Sequence, residues 1–153
     1  MFFLQKNEQK ESDTMITSLC PITPRYSETD AMGIIYHANY IIWFEQGRTD
    51  LINKIGLDYA ELEERGFMSP VLDVHVTYKR PIRYGEHVHV KTTIKEHSAV
   101  KTTYQYEILN EANEVCVTGE SSHTIVDKKT FRPISMKRKV SDWYEKLKEA
   151  GSE

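Results

Sequence analysis

The stretch that decides the fold runs from Asp30 to Ile55 and reads DAMGIIYHANYIIWFEQGRTDLINKI. From about Asn39 its apolar residues recur every three or four positions, which is the period of an α-helix. Two sets share this spacing and together cover more than half of the helix circumference: Tyr40, Trp43, Phe44, Gly47, Leu51 and Ile52, and Ile41, Phe44, Arg48, Leu51 and Ile55. We therefore expect a long, mostly buried helix that stops at Gly56.

A first strand precedes this helix, over residues 18–26. Pro21 and Pro24 interrupt it, which predicts a strand at the edge of a sheet. The side chains that we expect to be buried in it are Leu19, Ile22 and Tyr26.

After the helix, the sequence changes to a strand pattern. A short acidic helix over 57–65 leads to four segments in which apolar and polar residues alternate. These segments are 68–80, 88–95, 102–109 and 115–126. Short turns join them as consecutive hairpins, and Gly119 predicts a bulge in the last strand. The order of elements predicts an α+β fold in which an antiparallel sheet covers one long helix.

The composition fits one globular domain. The chain has 153 residues, 39% of them hydrophobic and 28% charged, with a net charge of −3 that gives no reason to expect nucleic-acid binding. We expect a disordered tail over 1–17, a domain over 18–135 and an amphipathic helical extension over 136–153. The sequence shows no run long enough to span a membrane, no secretory signal and only 2 cysteines, so we expect a cytoplasmic protein.

The junction before the long helix offers a candidate for acyl-transfer chemistry. Asp30 lies upstream of Gly33, which permits a tight connector, and the helix begins within a few residues of His37. A helix N-terminus stabilises negative charge, including an oxyanion that develops on a carbonyl. A carboxylate facing such N–H groups can attack an acyl carbon or activate a water. The alternatives are an N-cap or Asx-turn role for Asp30, and packing roles for His37, Tyr36 and Tyr40.

The pattern D-x-x-G-I-I-Y-H-x-x-Y-x-x-x-F-E over Asp30–Glu45 resembles the signature of hot-dog-fold acyl-CoA thioesterases. It is most similar to the 4-hydroxybenzoyl-CoA thioesterase type and to the short-chain acyl-CoA thioesterases associated with the Tol–Pal system. The resemblance covers about residues 18–133. It implies a five-stranded antiparallel sheet wrapped around one central helix, and an enzyme that hydrolyses acyl-CoA to a free acid and coenzyme A without a cofactor.

The resemblance also implies roles for single residues. Asp30 would be the nucleophile or general base, and His37 would supply the backbone N–H that polarises the thioester carbonyl, with its imidazole ordering substrate or water. The implied substrate-binding residues are Gly33, Tyr36, Tyr40, Ser69, Pro70, Lys95 and Lys101. Other cations that could face the CoA phosphates, or form a solvated rim, are Lys79, Arg80, Arg83 and those of 128–139. Glu45 matches an acidic position of the family whose role stays open, and an ion pair with Arg48 is favoured over a catalytic role.

Two other functions stay open: a thioesterase acting on acyl carrier protein, and a non-catalytic acyl-CoA-binding module that does not need Asp30. The family covers its open sheet edge by assembly, so we expect a homodimer or homotetramer with Asp30 facing residues 69–70 or 77–78 of another subunit. The basic segment 128–139 adds an acyl carrier protein or an anionic membrane surface as alternative partners. The histidines lack a metal-ligand spacing, so we expect no metal.

Overall fold

The structure is a computed structural model that describes residues 15–151, and most of the tail predicted over 1–17 lies outside this range. The strands are Ser18–Ile22 (β1), Phe67–Met68 (β2), Val71–Tyr78 (β3), Val88–His97 (β4), Thr102–Leu109 (β5), Val115–His123 (β6) and Val126–Asp127 (β7). The α-helices are Asn39–Lys54 (α1), Tyr59–Glu64 (α2), Met136–Lys139 (α3) and Ser141–Gly151 (α4), and a 3-10 turn covers Tyr26–Glu28.

Five strands form one antiparallel sheet in the order β1-β4-β5-β6-β3, with α1 packed against one of its faces. This arrangement confirms the hot-dog fold, and β1 lies at an edge as its prolines predict. The prediction that all the late strands form consecutive hairpins is wrong for β3, which pairs with β6 at the far edge instead of with β4. Residues 79–87 connect β3 to β4 past the two strands that separate them, and the fully buried Ile82 holds this connection against the core.

The first strand is shorter than the sequence predicts. It ends at Ile22, so Tyr26 lies in the 3-10 turn with 76% of its surface exposed, and Leu19 is 57% exposed. Their predicted burial is wrong because Ser18 and Ile22 take the inward positions of the strand and Leu19 alternates outward.

The long helix is buried on one side only. The first apolar set, from Tyr40 to Ile52, is buried as predicted, but Ile41 and Ile42 of the other side are 42% and 48% exposed. The prediction of a mostly buried helix is therefore wrong, because the sheet of one protomer covers a single face. Gly56 follows the helix with φ +85°, the left-handed conformation that ends helices.

Two glycines allow the helix to approach the sheet closely. A Cβ at Gly47 of α1 would lie 2.6 Å from Thr92 Oγ1, and one at Gly119 of β6 would lie 2.5 Å from the Phe44 ring. Gly119 pairs in register with Val76 and Tyr106, so the predicted bulge is wrong there. The glycine is needed because the Phe44 ring lies against the strand backbone.

The C-terminal helix α4 packs on β4 and buries Trp143, Leu147 and Ala150 in the same core as α1. A hydrogen bond from His97 of β4 holds α4 in place. The Nε2–H of His97 donates to the Tyr144 carbonyl oxygen at 3.0 Å, since a carbonyl can only accept. Burial lowers the pKa of His97. The division of the chain at residue 135 stays a prediction.

Candidate active site

The loop between the 3-10 turn and α1 folds around Asp30. The Asp30 N–H donates to the Ile34 carbonyl at 2.8 Å, and the Gly33 N–H donates to the Asp30 carbonyl at 3.0 Å. Gly33 has φ +77°, so the turn requires the conformational freedom of glycine. One carboxylate oxygen, Asp30 Oδ1, accepts the Met32 N–H at 2.8 Å, as in an Asx turn. The other accepts no hydrogen bond within residues 15–151 and is available for chemistry.

The first turn of α1 lacks a capping side chain. Its N-cap residue is Ala38, which has no polar group, and the first turn contains no acidic residue. Among the described residues, neither the N–H of His37 nor that of Ala38 meets an acceptor. Such N–H groups, together with the helix dipole, form a positive site that can stabilise an oxyanion.

Asp30 and His37 lie on the same crevice, which has a volume of about 400 Å³. The remaining walls come from the loop, from α1 and from the end of β3: Met32, Ile34, Ile35, Tyr40, Tyr78, Lys79, Arg80 and Pro81. Asp30 is half-buried, so its carboxylate borders the crevice without being sealed from it. The crevice thus joins a carboxylate to an uncapped helix N-terminus.

Aromatic residues form part of the crevice lining. The Tyr78 hydroxyl donates to the His37 carbonyl oxygen at 2.9 Å, and the Tyr78 ring lies 5.7 Å from the Tyr40 ring. Tyr36 lies outside the crevice, with its ring 4.2 Å from that of His37. Burial raises the pKa of Tyr40 to about 12, so its hydroxyl stays neutral. Sequence analysis placed Tyr78 opposite the Asp30 of another subunit, and its contact with His37 of its own chain was missed.

The other predicted binding residues do not line this crevice within one protomer. Ser69 lies in a second cleft of about 270 Å³ between α1 and α2, and the Pro70 carbonyl accepts the Thr124 N–H. Lys95 forms an ion pair with Glu120 at 2.8 Å. Lys101 lies in the β4–β5 turn, where its N–H donates to a serine hydroxyl. Their roles in substrate binding stay predictions.

Two predicted cations do line the crevice. Arg80 also forms an ion pair with Glu114 at 3.0 Å, whereas Lys79 makes no ion pair with a residue of the described range. A larger concavity, of about 560 Å³, lies on the outer face of the sheet. It contains the Lys91–Glu107 ion pair but no helix N-terminus, so the chemistry favours the Asp30 crevice.

Arg48 enters a buried polar network instead of pairing with Glu45. No ion pair joins these two side chains in residues 15–151, and Glu45 is exposed, so the expected pair is wrong. Arg48 Nη1 donates to the Tyr106 hydroxyl at 3.1 Å, and Ser121 Oγ bridges that hydroxyl and His123 Nε2 at 2.6 and 2.7 Å. Burial, followed by the Arg48 charge, lowers the pKa of His123 to about 3.

Within residues 15–151, no three His, Cys, Asp or Glu side chains come together to hold a metal ion. The helices of the same range are all too short or too polar to cross a bilayer.

Comparison with known proteins gives consistent matches along the chain. The family profile described as "Thioesterase-like superfamily" matches residues 24–150. A Bacillus subtilis protein named "Putative acyl-CoA thioesterase YneP" is 47% identical over 130 residues, which is 83% of this chain and 94% of its own length. The Escherichia coli O157:H7 protein named "Acyl-CoA thioester hydrolase YbgC" is 23% identical over 78% of this chain and 90% of its own.

A solved structure supports the same fold. The Staphylococcus aureus structure titled "Novel crystal structure of DHNA-CoA Thioesterase" superposes with a TM-score of 0.84 at 45% identity. The match covers 86% of this chain and 89% of that one.

We predict that His123 makes folding stability depend on pH. Its folded pKa of about 3 lies below the ordinary value of 6.5, so between these pH values the unfolded chain binds a proton that the folded chain does not. Stability from this residue is therefore complete above pH 6.5 and falls by about 1.4 kcal/mol per pH unit below it. Urea unfolding of wild type and His123→Gln from pH 4.5 to 7.5 measures this difference. Parallel curves for the two proteins would contradict it.

Proposed function

We propose, because the chain belongs to the thioesterase-like superfamily, that it is an enzyme that hydrolyses acyl-CoA thioesters. The observation that carries the proposal is the half-buried Asp30 carboxylate, which shares a crevice with the uncapped N-terminus of α1. The activities in the names of the Bacillus subtilis and Staphylococcus aureus proteins support it.

The proposed mechanism divides the work between the carboxylate and the helix. The thioester carbonyl oxygen accepts hydrogen bonds from the N–H groups of His37 and Ala38. These hydrogen bonds stabilise the negative charge that develops as the carbonyl carbon becomes tetrahedral. Asp30 either attacks that carbon, giving an anhydride that water hydrolyses, or takes a proton from the attacking water. In both routes the C–S bond breaks, and coenzyme A leaves as the thiolate, which then takes up a proton.

The cations around the crevice would hold the phosphates of coenzyme A. Lys79 and Arg80 lie at its wall. The Met136 N–H donates to the Ala99 carbonyl at 2.6 Å, so the basic segment 128–139 meets the turn that contains Lys101. An acidic acyl carrier protein would suit the same cations, and it stays the alternative carrier. The cytoplasmic location and the narrower 4-hydroxybenzoyl-CoA or Tol–Pal type stay predictions.

We predict that Asp30→Asn lowers kcat by at least about 100-fold, because the amide can neither attack the carbonyl nor accept a proton. Free-thiol release from a set of acyl-CoAs measures turnover, and circular dichroism checks the fold. Asp142→Asn is the matched control, because the Asp142 carboxylate lies on α4 away from the crevice and forms an exposed ion pair with Arg65. Near-normal hydrolysis by Asp30→Asn would rule out the assigned role.

The acyl group that the crevice fits best is aromatic. His37, Tyr40 and Tyr78 are among the residues that line the crevice, and aromatic pairs stabilise each other by about 0.5–1.5 kcal/mol beyond area burial. The Staphylococcus aureus structure, whose title names DHNA-CoA thioesterase, supports the same class.

We predict that kcat/KM for benzoyl-CoA and 1,4-dihydroxy-2-naphthoyl-CoA exceeds that for butyryl-CoA and octanoyl-CoA by about tenfold, or about 1.4 kcal/mol. Steady-state hydrolysis of the four substrates measures the ratio. A preference for an aliphatic chain would contradict the aromatic assignment while leaving thioester hydrolysis intact.

The open edge of the sheet supports assembly through β3. Its apolar side chains are unusually exposed for a strand: 50% for Val71, 54% for Leu72, 37% for Val74 and 50% for Tyr78. Such an edge invites pairing with another strand. We propose a homodimer joined edge to edge at β3, with a further pairing of dimers into a tetramer, so that a second subunit closes the crevice beside Tyr78.

We predict that Val74→Lys shifts the protein to a monomer and lowers turnover. Val74 lies on the face of the sheet that carries α1, so in the dimer the charge would be buried on that face beside the partner's β3, which is costly. The matched control is His75→Lys, because His75 is the exposed neighbour on the opposite face of the same strand. Sedimentation velocity measures the assembly, and a Val74→Lys protein that keeps the wild-type oligomer would contradict the β3 interface.

A further inference from the structure

Glu28 is a buried carboxylate just before the Asp30 loop, and the mechanism above does not use it. Only 6% of the Glu28 surface is exposed. Glu28 Oε2 accepts the indole N–H of Trp43 at 2.9 Å, and Glu28 Oε1 accepts the backbone N–H of Arg25 at 2.8 Å. The Arg25 guanidinium also approaches at 3.5 Å, but that side chain is largely exposed. A buried carboxylate is costly unless it is hydrogen-bonded, and here each oxygen has its own donor.

The backbone of the same residue ties together the far end of the loop and the helix. The Glu28 carbonyl oxygen accepts the Tyr36 N–H at 2.8 Å and the side-chain amide of Asn39 at 2.8 Å. Tyr36 ends the Asp30 loop, and Asn39 is the first residue of α1. Because Trp43 lies one helical turn further along, Glu28 holds α1 at two levels.

We propose that Glu28 is a positioning residue that sets the distance between the Asp30 carboxylate and the N–H groups of His37 and Ala38. This inference rests on the proposed function, since it gives Glu28 its effect through Asp30. Asp30 lies two residues after Glu28, and the start of α1 is hydrogen-bonded to the Glu28 carbonyl. The positions of the carboxylate and of the helix N–H groups therefore both depend on Glu28. A displacement of about 1 Å between reacting groups can cost about 100-fold in rate.

A carboxylate, and not merely a polar side chain of this size, is required here. The groups that face it are all N–H donors: Trp43 Nε1, the Arg25 amide and, more loosely, the exposed Arg25 guanidinium. Glutamine has one oxygen and one NH₂ group, so it would direct a donor at one of these donors. Glu28→Gln therefore keeps the volume of the side chain but breaks one of the two hydrogen bonds.

The test is the kinetics of Glu28→Gln on the acyl-CoA that wild type hydrolyses fastest. We expect kcat to fall by about 10- to 100-fold while KM stays within about twofold, because misplaced groups slow the reaction without removing substrate contacts. Thermal unfolding shows that the assayed protein is folded. The matched control is Glu107→Gln, since that half-buried glutamate forms an ion pair with Lys91 on the outer face of the sheet; its kcat should equal that of wild type.

Asn39→Ala provides a second, milder variant. It removes the amide donor to the Glu28 carbonyl and leaves the carboxylate untouched. We expect a fall in kcat of about three- to tenfold, again with KM within about twofold. If Glu28→Gln does not fold, this variant decides the question.

The outcomes separate this inference from the proposed function. The positioning role alone would be overturned if Asp30→Asn loses activity while a folded Glu28→Gln keeps the wild-type kcat. If Glu28→Gln does not fold, a wild-type kcat in Asn39→Ala gives the same conclusion. A rise in KM at unchanged kcat would also overturn it, since that result indicates a substrate contact. Normal activity in Asp30→Asn would overturn the catalytic role proposed for Asp30 and, with it, the positioning role of Glu28.

Discussion

The contact that the rest of the structure depends on is the close approach of α1 to the sheet. The Phe44 ring stacks on the Tyr106 ring at a centroid distance of 4.4 Å and an angle of 6°, against the bare backbone of Gly119. A Cβ at Gly47 would likewise lie 2.6 Å from side-chain atoms of Val90 and of Thr92 on β4. A side chain at either glycine would force the two layers apart, because cores are close-packed and cannot absorb an extra carbon without strain. The position of the helix N-terminus is therefore fixed by packing along the whole helix.

That N-terminus breaks a local rule of helix formation. Ser, Thr, Asp or Asn usually occupies the N-cap, and replacing one by Ala costs about 1 kcal/mol, yet the N-cap residue of α1 is Ala38, which has no capping side chain. Asp30, which could have served as a cap, is instead held in its own turn by the Met32 N–H. Natural sequences tend to depart from such local rules at functional sites. The missing cap leaves a positive helix end open toward the crevice, where the proposed reaction develops negative charge.

The sequence predicted the features that depend on neighbouring residues, and failed where distant segments decide. The α1 periodicity, its stop at Gly56 and the junction from Asp30 to His37 are local, and the structure contains them. The place of β3 beside β6 depends on a chain crossing that no hairpin signal reports. The burial of Glu28 was equally invisible, because a glutamate in a polar connector usually faces water and only Trp43, further along the chain, provides its donor.

Some of the exposed apolar side chains lie close to the Asp30 crevice. Periodicity detects apolar residues but cannot tell whether the surface that covers them belongs to the same chain. Ile41 fits the helical pattern and Val74 fits the strand pattern, and both remain exposed in the protomer. Ile41 directly follows Tyr40, and β3 ends at Tyr78, both of which line the Asp30 crevice. In the proposed dimer, the uncovered surfaces at Ile41 and along β3 are next to the reacting groups, so assembly would bury these side chains and exclude water from the thioester in the same step.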